Sequence, residues 1–162
     1  MNKLKLAIVS CGFLGCAPVA SGTFGTLGGV AIAWLFRGTG SMFPLWMLGW
    51  CVFLYALTCP LGKWAEEYAH KKDPGIFVMD EVIGYLITVA WMRGPSYFAL
   101  LVAFLVFRFF DIVKPPPARQ MEHLGGGHGI LLDDVMAGLW GLLAVMLPAR
   151  LLFPDAGWFA GG

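Results

Sequence analysis

Between Leu6 and Phe36 the chain carries no charged side chain, and between Gly38 and Gly62 it again carries none. Three shorter charge-free runs follow, Val82 to Met92, Gly94 to Phe107 and Val135 to Ala149. A helix that crosses a bilayer needs about 20 apolar residues, about 17 at the low end. The two long runs meet that requirement alone, and the three short ones must borrow charged neighbours. Over its 162 residues the chain is 59% hydrophobic and 13% charged, where a soluble domain carries roughly 25% charge. An ordinary water-soluble domain is therefore excluded. The 22 glycines and 7 tryptophans argue against a disordered chain or a coiled coil. A net charge of +1 supplies no field to hold nucleic acid. The length suits one domain spanning residues 1–162.

The expected fold is all-α, a polytopic helical membrane protein of four to six helices. Lysine and arginine asymmetry orients it. Lys3 and Lys5 open the chain, and Lys63, Lys71 and Lys72 follow the second long run. With both groups on the cytoplasmic side, Thr26 to Phe36 leaves and Leu45 to Leu61 returns, with Arg37 to Pro44 as the outer turn. Val82 to Met92 leaves again, Arg93-Gly94-Pro95 turns, Ser96 to Val113 returns and Val135 to Phe153 leaves last. Eight Lys/Arg then lie inside and three outside. Asp80, Glu81, Arg108, Asp111, Lys114, Asp133 and Asp134 all fall on the cytoplasmic side, and nine of the ten acids lie between Glu66 and Asp134. Charge at a membrane-helix centre costs at least about 2.5–3.5 kcal/mol per residue on insertion scales, so these groups belong at helix ends or in a polar cavity.

The segment from Gly12 to Gly29 is rich in Gly, Ser, Thr and Pro. It reads as a flexible leader, or as irregular or re-entrant backbone whose amides and hydroxyls line a site, which membrane depth tolerates only inside protein or a polar cavity. Lys3 and Lys5 ahead of an apolar stretch and Gly15-Cys16 also resemble a signal peptide; the overall composition favours a chain that stays in the membrane. Cysteines 11, 16, 51 and 59 lack CxxC spacing and read as packing residues. His70, His123 and His128 read as loop histidines. No phosphate-binding GxxxxGK loop, GxSxG elbow or cysteine-phosphatase loop is present.

Three constellations carry chemistry. In Val78-Met79-Asp80-Glu81-Val82-Ile83-Gly84 two carboxylates open an apolar helix, a pattern that an N-cap and a first-turn acid also explain. In Phe107-Arg108-Phe109-Phe110-Asp111-Ile112-Val113-Lys114, helical periodicity puts Arg108, Asp111 and Lys114 within an arc of about 120°, where an intrahelical ion pair and a snorkelling lysine are the plain alternative. Pro115-Pro116-Pro117 then ends that helix. In Gly125 to Gly138 a glycine-rich loop delivers Asp133 and Asp134 to the start of the last helix. Gly84 and Gly138 follow Asp80 and Asp134 by one turn, which lets a neighbouring helix approach each acid closely. Five carboxylates, Asp80, Glu81, Asp111, Asp133 and Asp134, face two cations, Arg108 and Lys114. A divalent metal is the economical partner for the excess, and an all-oxygen donor set suits Mg²⁺. Arg108 and Lys114 are then available to phosphate oxygens, which implies phosphoryl chemistry at the inner bilayer surface.

These residues resemble the phosphatidylglycerophosphatase A family in order along most of the chain. The resemblance rests on Gly22-Thr23-Phe24-Gly25-Thr26-Leu27, Asp80-Glu81-x-x-Gly84, Phe107-Arg108-x-x-Asp111-x-x-Lys114-Pro115-x-Pro117 and Gly126-Gly127-x-Gly129-Ile130-x-x-Asp133-Asp134-x-x-Ala137-Gly138. Ser21 departs from it, standing where the family commonly has proline. The resemblance implies an all-helical, Mg²⁺-dependent bacterial enzyme of the inner (cytoplasmic) membrane, its active site facing the cytoplasm. Its substrate would be the phospholipid phosphatidylglycerophosphate, hydrolysed to phosphatidylglycerol and phosphate. Asp80, Asp111 and Asp134 are then the leading metal ligands, and Glu81 or Asp133 a further ligand or the base that aligns water. Arg108, Lys114, Thr23 and Thr26 are expected at the substrate phosphate. The rival reading is an ion or metabolite transporter with a membrane-embedded carboxylate cluster, which would hold its acids near the midplane. A cytidine-diphosphate alcohol phosphotransferase would carry an Asp-Gly-x-x-Ala-Arg run, which is missing.

Overall fold

The computed structural model describes residues 2–121 and 123–152. These residues form α-helices and 3-10 turns, with no strand among them. The helices are α1 (Asn2–Val9), α2 (Ser21–Phe36), α3 (Phe43–Thr58), α4 (Gly62–Ala69), α5 (Met79–Val89), α6 (Tyr97–Val113), α7 (Ala118–Met121) and α8 (Gly126–Leu152). Short 3-10 turns at Leu14–Cys16, Arg37–Met42 and Cys59–Leu61 join or precede them. Two stretches, 21–69 and Gly126–Leu151, are long and apolar enough to cross a membrane.

α5 is the axis of the bundle and packs against α2, α3, α6 and α8. Nine of its eleven residues are buried, among them Val82, Tyr85, Leu86 and Val89. Its position explains why its apolar run is too short for a lipid-facing helix: protein, not lipid, surrounds it. The outer helices invert the usual arrangement. Leu35 on α2, Val52 on α3, Leu105 on α6 and Leu147 on α8 are all exposed, so the apolar surface forms a belt around the bundle. A belt of this kind marks contact with lipid or another apolar partner.

Close helix approach comes from residues without side chains. Gly25 and Gly29 face α5, where a Cβ would come within 2.6 Å of Val78 Cβ and 3.0 Å of Tyr85 Cδ1 respectively. Gly84 faces Phe107 and the carbonyl of Asp134, and Gly138 faces the carbonyl of Gly84. Thr88 seals this crossing by donating its hydroxyl to the carbonyls of Gly84 (3.0 Å) and Gly138 (3.2 Å).

The expected helices are recovered, with three differences. The irregular N-terminal stretch ends at Ala20 instead of continuing to Gly29, because the glycines beyond it serve as the helix-packing face of α2. The glycine-rich block before Asp133 is helical and not a loop, since α8 starts at Gly126. Gly127 sits against the backbone of Cys59, and Gly62 against that of Gly127, so these glycines permit contact between backbones. His128 consequently lies on α8, where its Nδ1 meets the Tyr55 hydroxyl at 2.7 Å and ties α8 to α3. Phe153, the expected end of the last helix, lies outside the described residues.

Turn chemistry behaves as read. Gly94 takes a positive φ of 66° in the α5–α6 turn, a conformation that favours glycine. The Ser96 hydroxyl then caps α6 by accepting from the Ala99 N–H at 3.1 Å. α6 stops at Lys114, which is left-handed and precedes Pro115. The N-terminal segment is integral to the packing: the Val78 N–H donates to the Val9 carbonyl at 2.9 Å, and Gly15 lies against Ile76.

Candidate active site

α5 and α8 run in the same direction and touch through Gly84 and Gly138. Asp80 and Asp134 each precede that contact by one turn, so the parallel crossing sets the two acids side by side. Glu81 completes a cluster: one carboxylate oxygen from each of Asp80, Glu81 and Asp134 lies within 4.8 Å of the others. The C-terminal end of α6 closes the third side. Arg108 and Asp111 pair one turn apart on that helix, and Lys114, at its left-handed C-cap, reaches across to Asp133 at 2.6 Å. Asp80, Asp111, Asp133 and Asp134 are all buried.

Helix-end electrostatics account for the position of Asp80 and Glu81 but not for that of Asp133 and Asp134. The N-cap of α5 is Val78, and Asp80 and Glu81 lie in the first turn after it. Asp133 and Asp134 stand about two turns into α8, beyond the reach of the N-terminal amides. Local backbone bonds settle only part of the demand: Asp80 accepts from the Glu81 N–H at 3.0 Å, and Asp133 from the Asp134 N–H at 2.9 Å. Two carboxylate pairs remain in direct proximity, Asp80 with Glu81 and Asp111 with Asp134. Oε2 of Glu81 is buried without a hydrogen-bond partner. Like charges at this distance require a proton or a cation between them, and an orphaned buried carboxylate oxygen makes the same demand. Together with the all-oxygen donor set, these features fit Mg²⁺.

The structure divides the five carboxylates. Asp80, Glu81 and Asp134 form the metal-sized cluster, whereas Asp111 and Asp133 are each committed to a cation. Asp133 has both oxygens engaged, one by Lys114 and one by the Asp134 amide.

The first turn of α2 reaches the same place through its backbone. A Cβ on Gly22 would collide with Oε1 of Glu81 and lie 3.0 Å from the Arg108 guanidinium. Gly22 is therefore a site residue that sequence reasoning placed only within a motif; its signal was a glycine at a helix start with no turn to explain it. Thr26 is fully buried and donates its hydroxyl to the Gly22 carbonyl at 2.8 Å, so it supports this turn from below. Thr23 is half-buried in the same turn, its N–H bonded to the Ala20 carbonyl at 2.9 Å. A cleft of about 310 Å³ reaches Asp133 from the side of α4 and is lined by Glu66, Lys72, Asp73 and His123. None of these four is marked by a motif in the sequence.

The phosphatidylglycerophosphatase A family model matches residues 7–149. A putative phosphatidylinositol-3-phosphatase of Bacteroides thetaiotaomicron is 34% identical over 145 residues, covering 85% of this chain and 89% of that protein. Phosphatidylglycerophosphatase A of Haemophilus influenzae is 34% identical over 152 residues, covering 90% of this chain and 88% of that protein. Phosphatidylglycerophosphatase A of Escherichia coli is 30% identical over 148 residues, covering 85% and 82%. No solved structure matches the chain.

Proposed function

The chain belongs to the phosphatidylglycerophosphatase A family, and from that premise we propose that it hydrolyses the terminal phosphomonoester of phosphatidylglycerophosphate, releasing phosphatidylglycerol and phosphate. The observation that carries this reading is the convergence of Asp80, Glu81 and Asp134 beside two cations already paired to carboxylates. We further propose a multi-pass protein of the bacterial inner membrane with this site at the cytoplasmic face. The exposed apolar belt and the lysines at positions 63, 71 and 72 support that placement.

Asp80, Glu81 and Asp134 would hold Mg²⁺, which when bound supplies positive charge to the phosphoryl oxygens. Arg108 and Lys114 face the remaining phosphoryl charge, and their fixed carboxylate partners set their direction before substrate arrives. Asp111 and Asp133 thus act as positioning residues for the two cations. Glu81 keeps one buried oxygen, Oε2, without a hydrogen-bond partner, and we assign to it the alignment of the attacking water and the proton that water releases. Asp133 is unsuited to that role, because both its oxygens are occupied. The absence of a side chain at Gly22 lets Glu81 and Arg108 come up against the first turn of α2.

A transporter is disfavoured by placement. The acids gather at the first turns of α2 and α5, two turns into α8 and at the end of α6, toward one end of the bundle. The relatives' names share a phosphomonoester on a membrane lipid and differ in headgroup. Phosphate release by the detergent-purified protein from phosphatidylglycerophosphate and from phosphatidylinositol 3-phosphate, side by side, tests the assignment. Preference for the first supports it; turnover of the second alone overturns it.

A further inference from the structure

The end of the bundle opposite the carboxylates carries a second recess, of about 760 Å³. Arg37, Gly38 and Ser41 line it from the turn after α2, and Arg93, Ser96 and Tyr97 from the turn into α6. Helix length separates it from the reaction site: fourteen residues of α2 divide Gly22 from Arg37 and thirteen of α6 divide Tyr97 from Asp111, about 20 Å at 1.5 Å per residue. The Arg37 guanidinium lies over the Tyr97 ring, 4.4 Å from its centroid. That contact holds the guanidinium against the ring, and a guanidinium so held can still donate its N–H groups to an anion. Among the described residues neither Arg37 nor Arg93 forms an ion pair with a carboxylate.

The recess continues into an apolar groove. Trp34 and Tyr97 belong to both, and from them the groove runs between α2 and α6 past Leu27, Val30, Leu101 and Phe104, with a volume of about 220 Å³. Leu27, Trp34, Leu101 and Tyr97 are exposed along its walls. A basic mouth opening into an apolar slot on the outside of a helical bundle has the two-part chemistry of a phospholipid. A free phosphate would use only the mouth.

We propose that this recess binds the headgroup phosphate of an anionic phospholipid through Arg37 and Arg93, with an acyl chain lying in the groove between α2 and α6. The site rests on the membrane-spanning reading of the chain and is independent of the chemistry at the carboxylates. Its lipid enters from the opposite face of the bilayer and is not the molecule hydrolysed.

Native mass spectrometry of the detergent-purified full chain, mixed with dioleoyl phosphatidylglycerol or dioleoyl phosphatidylcholine, tests it. The unmutated protein is expected to retain one phosphatidylglycerol with about tenfold preference. R37Q/R93Q loses that preference while its circular dichroism stays unchanged. R93K keeps most of it, which decides the matter if the double variant fails to fold. D134N retains the lipid fully, separating this site from the proposed reaction. Equal retention of the two lipids by the unmutated protein, or undiminished preference in a folded R37Q/R93Q, overturns the proposal. Displacement of the lipid by millimolar inorganic phosphate also overturns it, since the recess then serves a free anion.

Discussion

Gly138 lies against the carbonyl of Gly84, with no side chain between α5 and α8 at their crossing. The acids Asp80 and Asp134 stand one turn before these glycines, so the separation of the two helices sets the separation of the two carboxylates. A packing contact and a candidate catalytic distance are here the same quantity.

Adding a methyl group at this crossing therefore damages the site through the helices. Gly138→Ala is expected to cut phosphate release at least tenfold and to lower stability by about 1–3 kcal/mol, the usual cost of overpacking. Gly49→Ala on α3 is the matched control, because a Cβ there meets nothing within 4 Å. Its activity stays unchanged, and its stability rises by up to about 1 kcal/mol from helix propensity. Steady-state rates and thermal melts in one detergent compare the two.

Gly22→Ala separates site crowding from helix packing. Its Cβ would press on Glu81 and Arg108, both side chains rather than backbone. The expected result is a loss of turnover of about tenfold or more with the melting temperature little changed, read from the same pair of assays.

The Lys114–Asp133 bond should show strong non-additivity. Lys114→Met leaves Asp133 buried with one oxygen unpaired, whereas Lys114→Met with Asp133→Asn removes both charges together. A double-mutant cycle on thermal stability is expected to give a coupling within about 0.5–3 kcal/mol. Additive single effects would show that the two groups act independently.

Thr88 tests structure without chemistry. Its hydroxyl bonds the Gly84 and Gly138 carbonyls, and Thr88→Val leaves them without that donor. Stability falls by about 1–2 kcal/mol, and turnover per folded molecule is retained.

Much of this arrangement was legible in the sequence, because charge is costly in a chain so apolar and its position is therefore informative. The stripe Arg108, Asp111, Lys114 follows from helical periodicity, and the glycine one turn after each aspartate signals the α5–α8 crossing. What stayed hidden depends on partners distant in sequence. Nothing local says that Lys114 selects Asp133 while Arg108 keeps Asp111, so the ligands expected first, Asp80, Asp111 and Asp134, differ by one from the cluster of Asp80, Glu81 and Asp134 that the structure brings together. Glycine was ambiguous for a similar reason. At 22, 25, 29 and 127 it permits close packing within or beside helices, although clustered glycine ordinarily signals a loop. The short apolar run of α5 became intelligible only once neighbours were seen to enclose it.

The central claim is that Asp80, Glu81 and Asp134 hold a divalent ion required for hydrolysis of phosphatidylglycerophosphate. Phosphate release by the purified protein, measured with chelator, after Mg²⁺ is restored, and in Asp134→Asn shown to insert normally, tests it most directly. The account predicts activity that disappears with chelator and returns with Mg²⁺, and a loss of at least about a hundredfold in Asp134→Asn whatever the Mg²⁺ concentration. Turnover that persists in chelator, or full activity in Asp134→Asn, would contradict it.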